Sequence, residues 1–540
     1  MGQRAFILSY LLLITLSACG SDALIGGSAD MASATPGGSQ DAGYFRATLR
    51  SGAIPQPDDI NVEGFLGEHD IASPLQGCEQ SLCMSGTVVH DRAIAEGSSA
   101  TLVHLGMGTN VDLSEQPRAP LNLAVVVDVS GSMSASGRLD FVKQGLLLMV
   151  DELGEEDRLA IVTYSSEASV LVPSQPVGDK RWLSQTIRSL SPGGSTNLHG
   201  GMMAGYAEVA EHLSEESLPR IMLLSDGLVN TGEVNSEIIL RDSKVYNDQG
   251  IGISTIGVGL DFNQELMRGL SQQGGGNFYF LEDPAKAARV FLDELDVLVT
   301  PIANNLKITL TLSEGFTMID TYGLPHTWEG SNQLVVEVPT VFASRRGGAM
   351  LIRVDHESLS SLGAASVVLE ITYQYDEVTT GETQSEPVLL SDDVILGEAV
   401  VEAEQSYDNE GSLKAMVVWN MVTTFQAASR LAHNGGYDQA LTLIQALAEY
   451  VEENNRILED KEITRDVDEL ISLYIQNLGG YWNEPYCYDD GYCENYDGYY
   501  YGDDHYYGGC SAAPNLPFWG ALAIVGFALI RRRKRAGLCQ

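Results

Sequence analysis

Asp128-Val129-Ser130-Gly131-Ser132 places one carboxylate and two hydroxyls at alternate positions of a short stretch. In a loop, this i, i+2, i+4 spacing can direct the three oxygens to one point, and Gly131 permits the tight turn between the hydroxyls. Two more stretches carry matching chemistry. Gly193-Gly194-Ser195-Thr196-Asn197 is a Gly-rich loop offering the Thr196 hydroxyl, and Ser225-Asp226-Gly227 offers a second carboxylate. These are hard oxygen donors, suited to Mg2+ rather than zinc, with Mn2+ or Ca2+ as alternatives. The candidate metal ligands are Asp128, Ser130, Ser132, Thr196 and Asp226.

Elements in the surrounding sequence are placed to hold those loops. Leu121–Val127 is a continuous apolar run, the mark of a strand buried on both faces. Leu159–Tyr164, Pro219–Ser225 and Ile251–Val258 read the same way, Ser169–Val172 as an edge strand and Asn277–Leu281 as a further strand. Helical periodicity occupies Arg138–Leu153 and recurs near 179–190, 198–213, 235–248, 263–271 and 284–298. Alternating buried strands and amphipathic helices predict an α/β fold with a doubly wound, mostly parallel sheet over residues 119–298. In such sheets ligands bind at the carboxyl ends of the strands, where all three loops fall.

The five oxygen-bearing residues, in this order and frame, resemble the metal-ion-dependent adhesion site of the von Willebrand factor type A domain. That site is Asp-x-Ser-x-Ser plus a distant Thr and Asp. The resemblance covers about a third of the chain and implies direct coordination by Ser130, Ser132 and Thr196, with Asp128 and Asp226 often acting through water. Residues 44–67, the region after 299 and the helical end resemble bacterial secreted proteins of this kind, although Asn61-Val62-Glu63-Gly64-Phe65 departs from the usual acidic-aromatic continuation.

With neutral hydroxyls as direct ligands, the ion stays electron-poor and favours a carboxylate from a partner's Asp or Glu. The sequence therefore predicts a non-enzymatic protein that binds a protein partner through the metal. One rival is a structural envelope-assembly protein with an idle metal site. The other is a metal-dependent hydrolase polarising a phosphoryl group, for which His199 is the nearest base. No catalytic residue is assigned: Gly-x-Ser-x-Gly, His-Glu-x-x-His and P-loop motifs are all missing from the sequence.

Charge narrows the partners further. The chain has 540 residues, with 31 Lys and Arg against 73 Asp and Glu, a net charge of −42. Such a chain repels phosphate backbones, which excludes nucleic acid as a main ligand.

Beyond the central domain, the predicted order is a signal peptide (1–18), a Gly/Ser-rich tether (19–43) and a flanking segment (44–118). After it come an added β-sandwich (299–394), a helical C-terminal region (395–478), an acidic Tyr-rich stalk (479–510) and a tail (511–535). In the sandwich, short β-branched strands alternate. The helices expected after it are 397–405, 413–432, 437–454 and 466–475. Ten tyrosines and seven acidic residues fall within Tyr481–Tyr507, and no Lys or Arg occurs between Arg465 and Arg531.

The two ends predict export. Arg4, the apolar run Phe6–Leu16 and the small residues before Cys19 form a signal. Leu16-Ser17-Ala18-Cys19 resembles the bacterial lipobox, which implies lipidation at Cys19; an ordinary signal peptide is the alternative. Pro517–Ile530 is apolar and is followed at once by Arg531–Arg535, as in a membrane tail. Together with Gly509-Cys510-Ser511 it resembles the MYXO-CTERM sorting signal, implying processing near Cys510; a plain tail anchor is the alternative. The predicted location is the outer membrane or cell surface, held by the N-terminal lipid, the C-terminal tail or both. In an oxidising compartment, Cys78 with Cys83 and Cys487 with Cys493 are disulfide candidates.

Overall fold

Leu121–Asp128 lies at the centre of a seven-stranded sheet, and all eight of its residues are buried. Its side chains alternate between two cores. Leu123, Val125 and Val127 face one set of helices, while Ala124 and Val126 face the other. A strand apolar at every position is stable only with both faces covered.

The computed structural model describes residues 32–480, apart from short stretches of which the longest are 112–118, 282–289, 357–366 and 392–404, together with residues 486–487 and 493–494.

Spatially, the sheet runs Ser39–Gln40, Phe278–Leu281, Gly252–Val258, Leu218–Ser225, Leu121–Asp128, Arg158–Tyr164, Ala168–Pro176. The pairings are parallel except at the last strand, which is antiparallel. From Leu121–Asp128 the chain first winds outward to Arg158–Tyr164. It then crosses back to lay Leu218–Ser225 on the other side. The strand order therefore reverses at Leu121–Asp128, and the crevice at such a reversal is the usual ligand position of a doubly wound sheet. The helices Arg138–Glu152, Lys180–Arg188, Leu198–Ala210, Ser236–Asn247 and Gln264–Gln273 lie between the strands in the chain. Of the helix expected over 284–298, only 290–292 and 294–295 are described.

The α/β domain is inserted into an antiparallel sheet. Cys83–Ala93 and Ser98–Thr109 precede it, and Pro301–Leu312, Phe316–Tyr322, Gln333–Ser344, Met350–His356, Val367–Glu377 and Thr383–Ser391 follow it. Ser98–Thr109 pairs with Met350–His356, so strands from both sides of the insertion share one sheet. One apolar core joins them, with Val103 and Leu105 from before the insertion and Ile308, Val336 and Ile371 from after it. The strands expected as a β-sandwich at 299–394 thus lie in one sheet that also takes in strands from the flanking segment.

Part of the stretch expected as a tether is paired. Ala32–Thr35 bridges Thr109 and Ser344, and Ser39–Gln40 extends the parallel sheet.

The long helices Glu410–His433 and Tyr437–Leu458 and the shorter turns from Lys461 to Gly480 share a core with the N-terminal helix Ala42–Arg50. Phe45 meets Phe425 at a centroid distance of 4.8 Å and Phe65 at 5.6 Å. Residues 397–404, expected as helix, lie outside the described residues. Beyond Gly479 the chain forms a separate unit, described only as the paired strands Tyr486–Cys487 and Cys493–Glu494. Among the described residues no helix is long and apolar enough to cross a membrane. Cys19, the tail 511–535 and Cys510 lie outside the described residues, as do the side chains of Cys487 and Cys493. Cys78 and Cys83 form a disulfide, with Cα atoms 5.7 Å apart.

Candidate metal centre

Asp128 is the last residue of the central strand, and Asp226 directly follows the neighbouring one. The register pairs Val127 with Leu224, so both carboxylates emerge side by side at the switch point. Asp128 and Asp226 are each fully buried, and Ser130 and Thr196 nearly so, while Ser132 is exposed. The arrangement opens to solvent at one hydroxyl and is closed beneath.

Hydrogen bonds assemble four of the five residues directly. The Ser130 amide donates to Asp128 Oδ1 at 2.8 Å, and the Ser130 and Ser132 hydroxyls lie 2.9 Å apart. Ser132 Oγ donates to Asp226 Oδ1 at 2.7 Å. Thr196 belongs to the same cluster, as the space beside Gly227 shows. A Cβ on that glycine would lie 3.4 Å from Ser132 Oγ and 3.8 Å from Thr196 Oγ1.

The backbone locks the three loops together. Gly131 N donates to Gly194 O at 3.0 Å, and Gly193 N donates to Val129 O at 2.7 Å. Gly194 turns at φ +91°, a conformation open to glycine at little cost. Thr196 N donates to Asn230 Oδ1 at 2.8 Å while Asn230 N donates to Thr196 O at 3.2 Å. The Gly-rich loop is thus tied to both carboxylate loops. Asn197 then caps the next helix by accepting from Gly200 N.

Burial pushes the Asp128 carboxyl up to about 6; Asp226 adds to the rise, and hydrogen bonds from Ser130 and Ser225 oppose it. Two buried carboxylates this close carry more negative charge than the cluster itself offsets. A hard dication would relieve that excess, and the donor set, all carboxylate and hydroxyl oxygen, has the chemistry to hold one. The residues therefore fit Mg2+ or a related ion.

Arg138 and Asn230 complete the site, although the sequence alone does not single them out. Arg138 Nη1 donates to Asp226 Oδ2 at 3.1 Å, and Nη2 donates to Asp261 Oδ2 at 2.9 Å. Burial opposes the guanidinium charge, but the bonds to Asp261 and Asp226 outweigh it and hold Arg138 above its ordinary value. One sequence signal is visible in hindsight. Arg138 opens its helix, where a cation opposes the helix dipole, so some other interaction must favour it there.

His199 lies in the helix after Thr196, but its Nε2 sits 3.1 Å from Asp242 Oδ2. The imidazole thus pairs with a carboxylate outside the cluster.

Two other features gather site-like groups. His69, Asp460 and Glu462 bring ligand-type atoms within 4.8 Å of one another. Lys414 Nζ already contacts Asp460 at 2.7 Å and Glu462 at 2.8 Å, so an ammonium serves these carboxylates. A cleft of about 910 Å³ is lined by Arg220, Lys244, Asn304 and Thr340 among others. It includes the amino ends of Leu218–Ser225 and Gly252–Val258, opposite the rim where the carboxylates emerge.

Comparison with known proteins agrees with the fold. The model of the von Willebrand factor type A domain family matches residues 122–293. An uncharacterized Escherichia coli protein, YfbK, is 29% identical over 268 residues, covering 48% of this chain and 46% of that protein. An uncharacterized Synechocystis protein is 24% identical over 372 residues, covering 65% of this chain and 88% of that one. The match thus spans less than half the length of the Escherichia coli relative. Among solved structures, a von Willebrand factor type A protein from Catenulispora acidiphila superposes with a TM-score of 0.51 at 14% identity, over 72% of this chain and 91% of its own. With strand order, loop placement and family match in agreement, the chain carries a von Willebrand factor type A domain at residues 122–293.

Proposed function

We propose that this is an exported cell-envelope protein that binds a protein partner through a divalent ion, Mg2+ first among candidates, held by Asp128, Ser130, Ser132, Thr196 and Asp226. The observation carrying this reading is the convergence of two buried carboxylates and three hydroxyls on one rim, with an exposed edge at Ser132. Domains of this family generally act as non-enzymatic interaction modules and commonly bind a divalent metal, which supports the same reading. A carboxylate from the partner's Asp or Glu would complete the ion's coordination. Export and envelope attachment rest on the two ends of the sequence, through Cys19, the C-terminal tail or both.

The test is binding of envelope proteins to the purified chain with Mg2+, with a chelator and with Asp128→Ala, alongside calorimetric titration of Mg2+. The reading requires Mg2+ binding by the natural chain, and partner retention lost both on chelation and in the variant. Partner retention untouched by chelator and variant would instead support the structural-assembly reading. Intact-mass measurement of the mature protein decides processing at Cys19 and near Cys510.

A further inference from the structure

Ser136 and Gly137 occupy successive left-handed conformations, at φ +50° and +73°, immediately before Arg138. For serine that conformation is unfavourable and calls for a compensating contact. The contact it delivers is the guanidinium, which bridges Asp226 and Asp261 with only 14% of its side chain exposed. A second feature makes room for it. Gly259 has φ +77°, and a Cβ there would stand 2.5 Å from the Arg138 Cζ and Nε atoms. Two loops far apart in the chain are thus shaped around this one side chain.

The guanidinium touches Asp226 through Oδ2, while Oδ1 accepts from Ser132 and so faces the hydroxyl cluster. The two oxygens thus have different partners, a hydroxyl and a guanidinium. A dication against the charges of Asp128 and Asp226 alone would be neutralised. Arg138 adds one positive charge close by. Asp261 offsets it weakly, because that carboxylate is 73% exposed and screened by water.

We propose that Arg138 sets the site's preference for anionic ligands: it shares Asp226 with the bound dication and leaves the loaded cluster net positive, which weakens metal binding and strengthens capture of a partner carboxylate. The inference rests on the metal-binding reading above and adds a residue and a charge rule to it.

The two effects have opposite signs, which separates this role from plain structural support. Loss of a supporting contact would lower both affinities together. Loss of the charge should raise one and lower the other.

The experiment uses the full chain with Mn2+ as the metal and acetate as the carboxylate probe. Free Mn2+ is followed by electron paramagnetic resonance, and acetate binding by water-proton relaxation of the loaded protein. Arg138→Met is expected to bind Mn2+ about threefold to tenfold more tightly and acetate at least about fivefold more weakly. Arg138→Gln, a neutral side chain that keeps an N–H donor, should follow Arg138→Met and is the variant to read if the methionine form does not fold. Arg138→Lys should stay close to the natural chain. Parallel loss of both affinities in the neutral variants, or unchanged acetate binding, overturns the proposal. Failure of the natural chain to bind Mn2+ overturns the metal-centre reading itself, a result distinct from the other two.

Discussion

Ser132 Oγ donates to Asp226 Oδ1 at 2.7 Å, joining two loops whose residues are 94 apart in sequence. The bond ties a solvent-exposed hydroxyl to a fully buried carboxylate. A second side-chain link joins the same two loops, Ser225 Oγ donating to Asp128 Oδ2 at 3.3 Å, so the site's integrity can be read from either end.

Thr196 tests the donor set without disturbing its frame. The loop is held by the Thr196 backbone, through its N–H and C=O to Asn230. Thr196→Val keeps those bonds and the side-chain shape while removing the hydroxyl. Mg2+ affinity should fall at least about tenfold, with stability changed by no more than about 1 kcal/mol. Calorimetric titration and urea unfolding measure the two quantities. An unchanged Mg2+ affinity would remove Thr196 from the ligand set.

The Asp128 carboxyl sits at about 6, above its ordinary 3.8. The native metal-free protein therefore holds this proton more tightly than the unfolded chain does. Its contribution favours folding most below pH 3.8 and is lost as pH rises to about 6, by roughly 3 kcal/mol. Chelator-treated protein should lose this increment between those pH values, and Asp128→Asn should not. Urea midpoints across the range give the comparison. Because the proton competes with the ion, Mg2+ affinity should also fall about tenfold per pH unit below about 6.

Gly259→Ala examines the cradle around Arg138. Its Cβ would meet the guanidinium at 2.5 Å, in a backbone conformation that disfavours L side chains. A loss of about 1–3 kcal/mol is expected in chemical denaturation. A crystal structure of the variant should show the Arg138–Asp261 pair displaced. A neutral outcome in both would mean the loop shifts freely.

Phe425→Ala probes the union of the helix Ala42–Arg50 with the long helices after residue 409. The ring is fully buried and packs on Phe45, Phe65 and Tyr474. The deletion should cost about 3–5 kcal/mol. Phe425 lies in a core separate from the two that flank the strand ending in Asp128, so Mn2+ affinity in the folded fraction should be unchanged. Coupled loss of metal binding would show that the aromatic core controls the site.

Much of the α/β domain was legible because its signals are local. Burial on both faces makes Leu121–Asp128 uniformly apolar, and a period near 3.6 marks Arg138–Glu152. Phe316–Tyr322 illustrates the opposite case. A register shift between Met318 and Asp320 breaks its alternation, so the period of two that reveals a strand is lost.

By themselves, the residue types and their order determined the donor chemistry, Asp-x-Ser-x-Ser, Thr and Asp, and the alternating elements that carry it. Tertiary structure alone decided that Asp226 shares its carboxylate between Ser132 and Arg138, that Gly259 clears the space, and that Phe45 meets Phe425. It also decided that strands on either side of the domain join in one sheet. The reason is physical. A repeat in the chain reports which face a residue buries, while the partner it meets depends on chain closures over hundreds of residues, which no local pattern encodes.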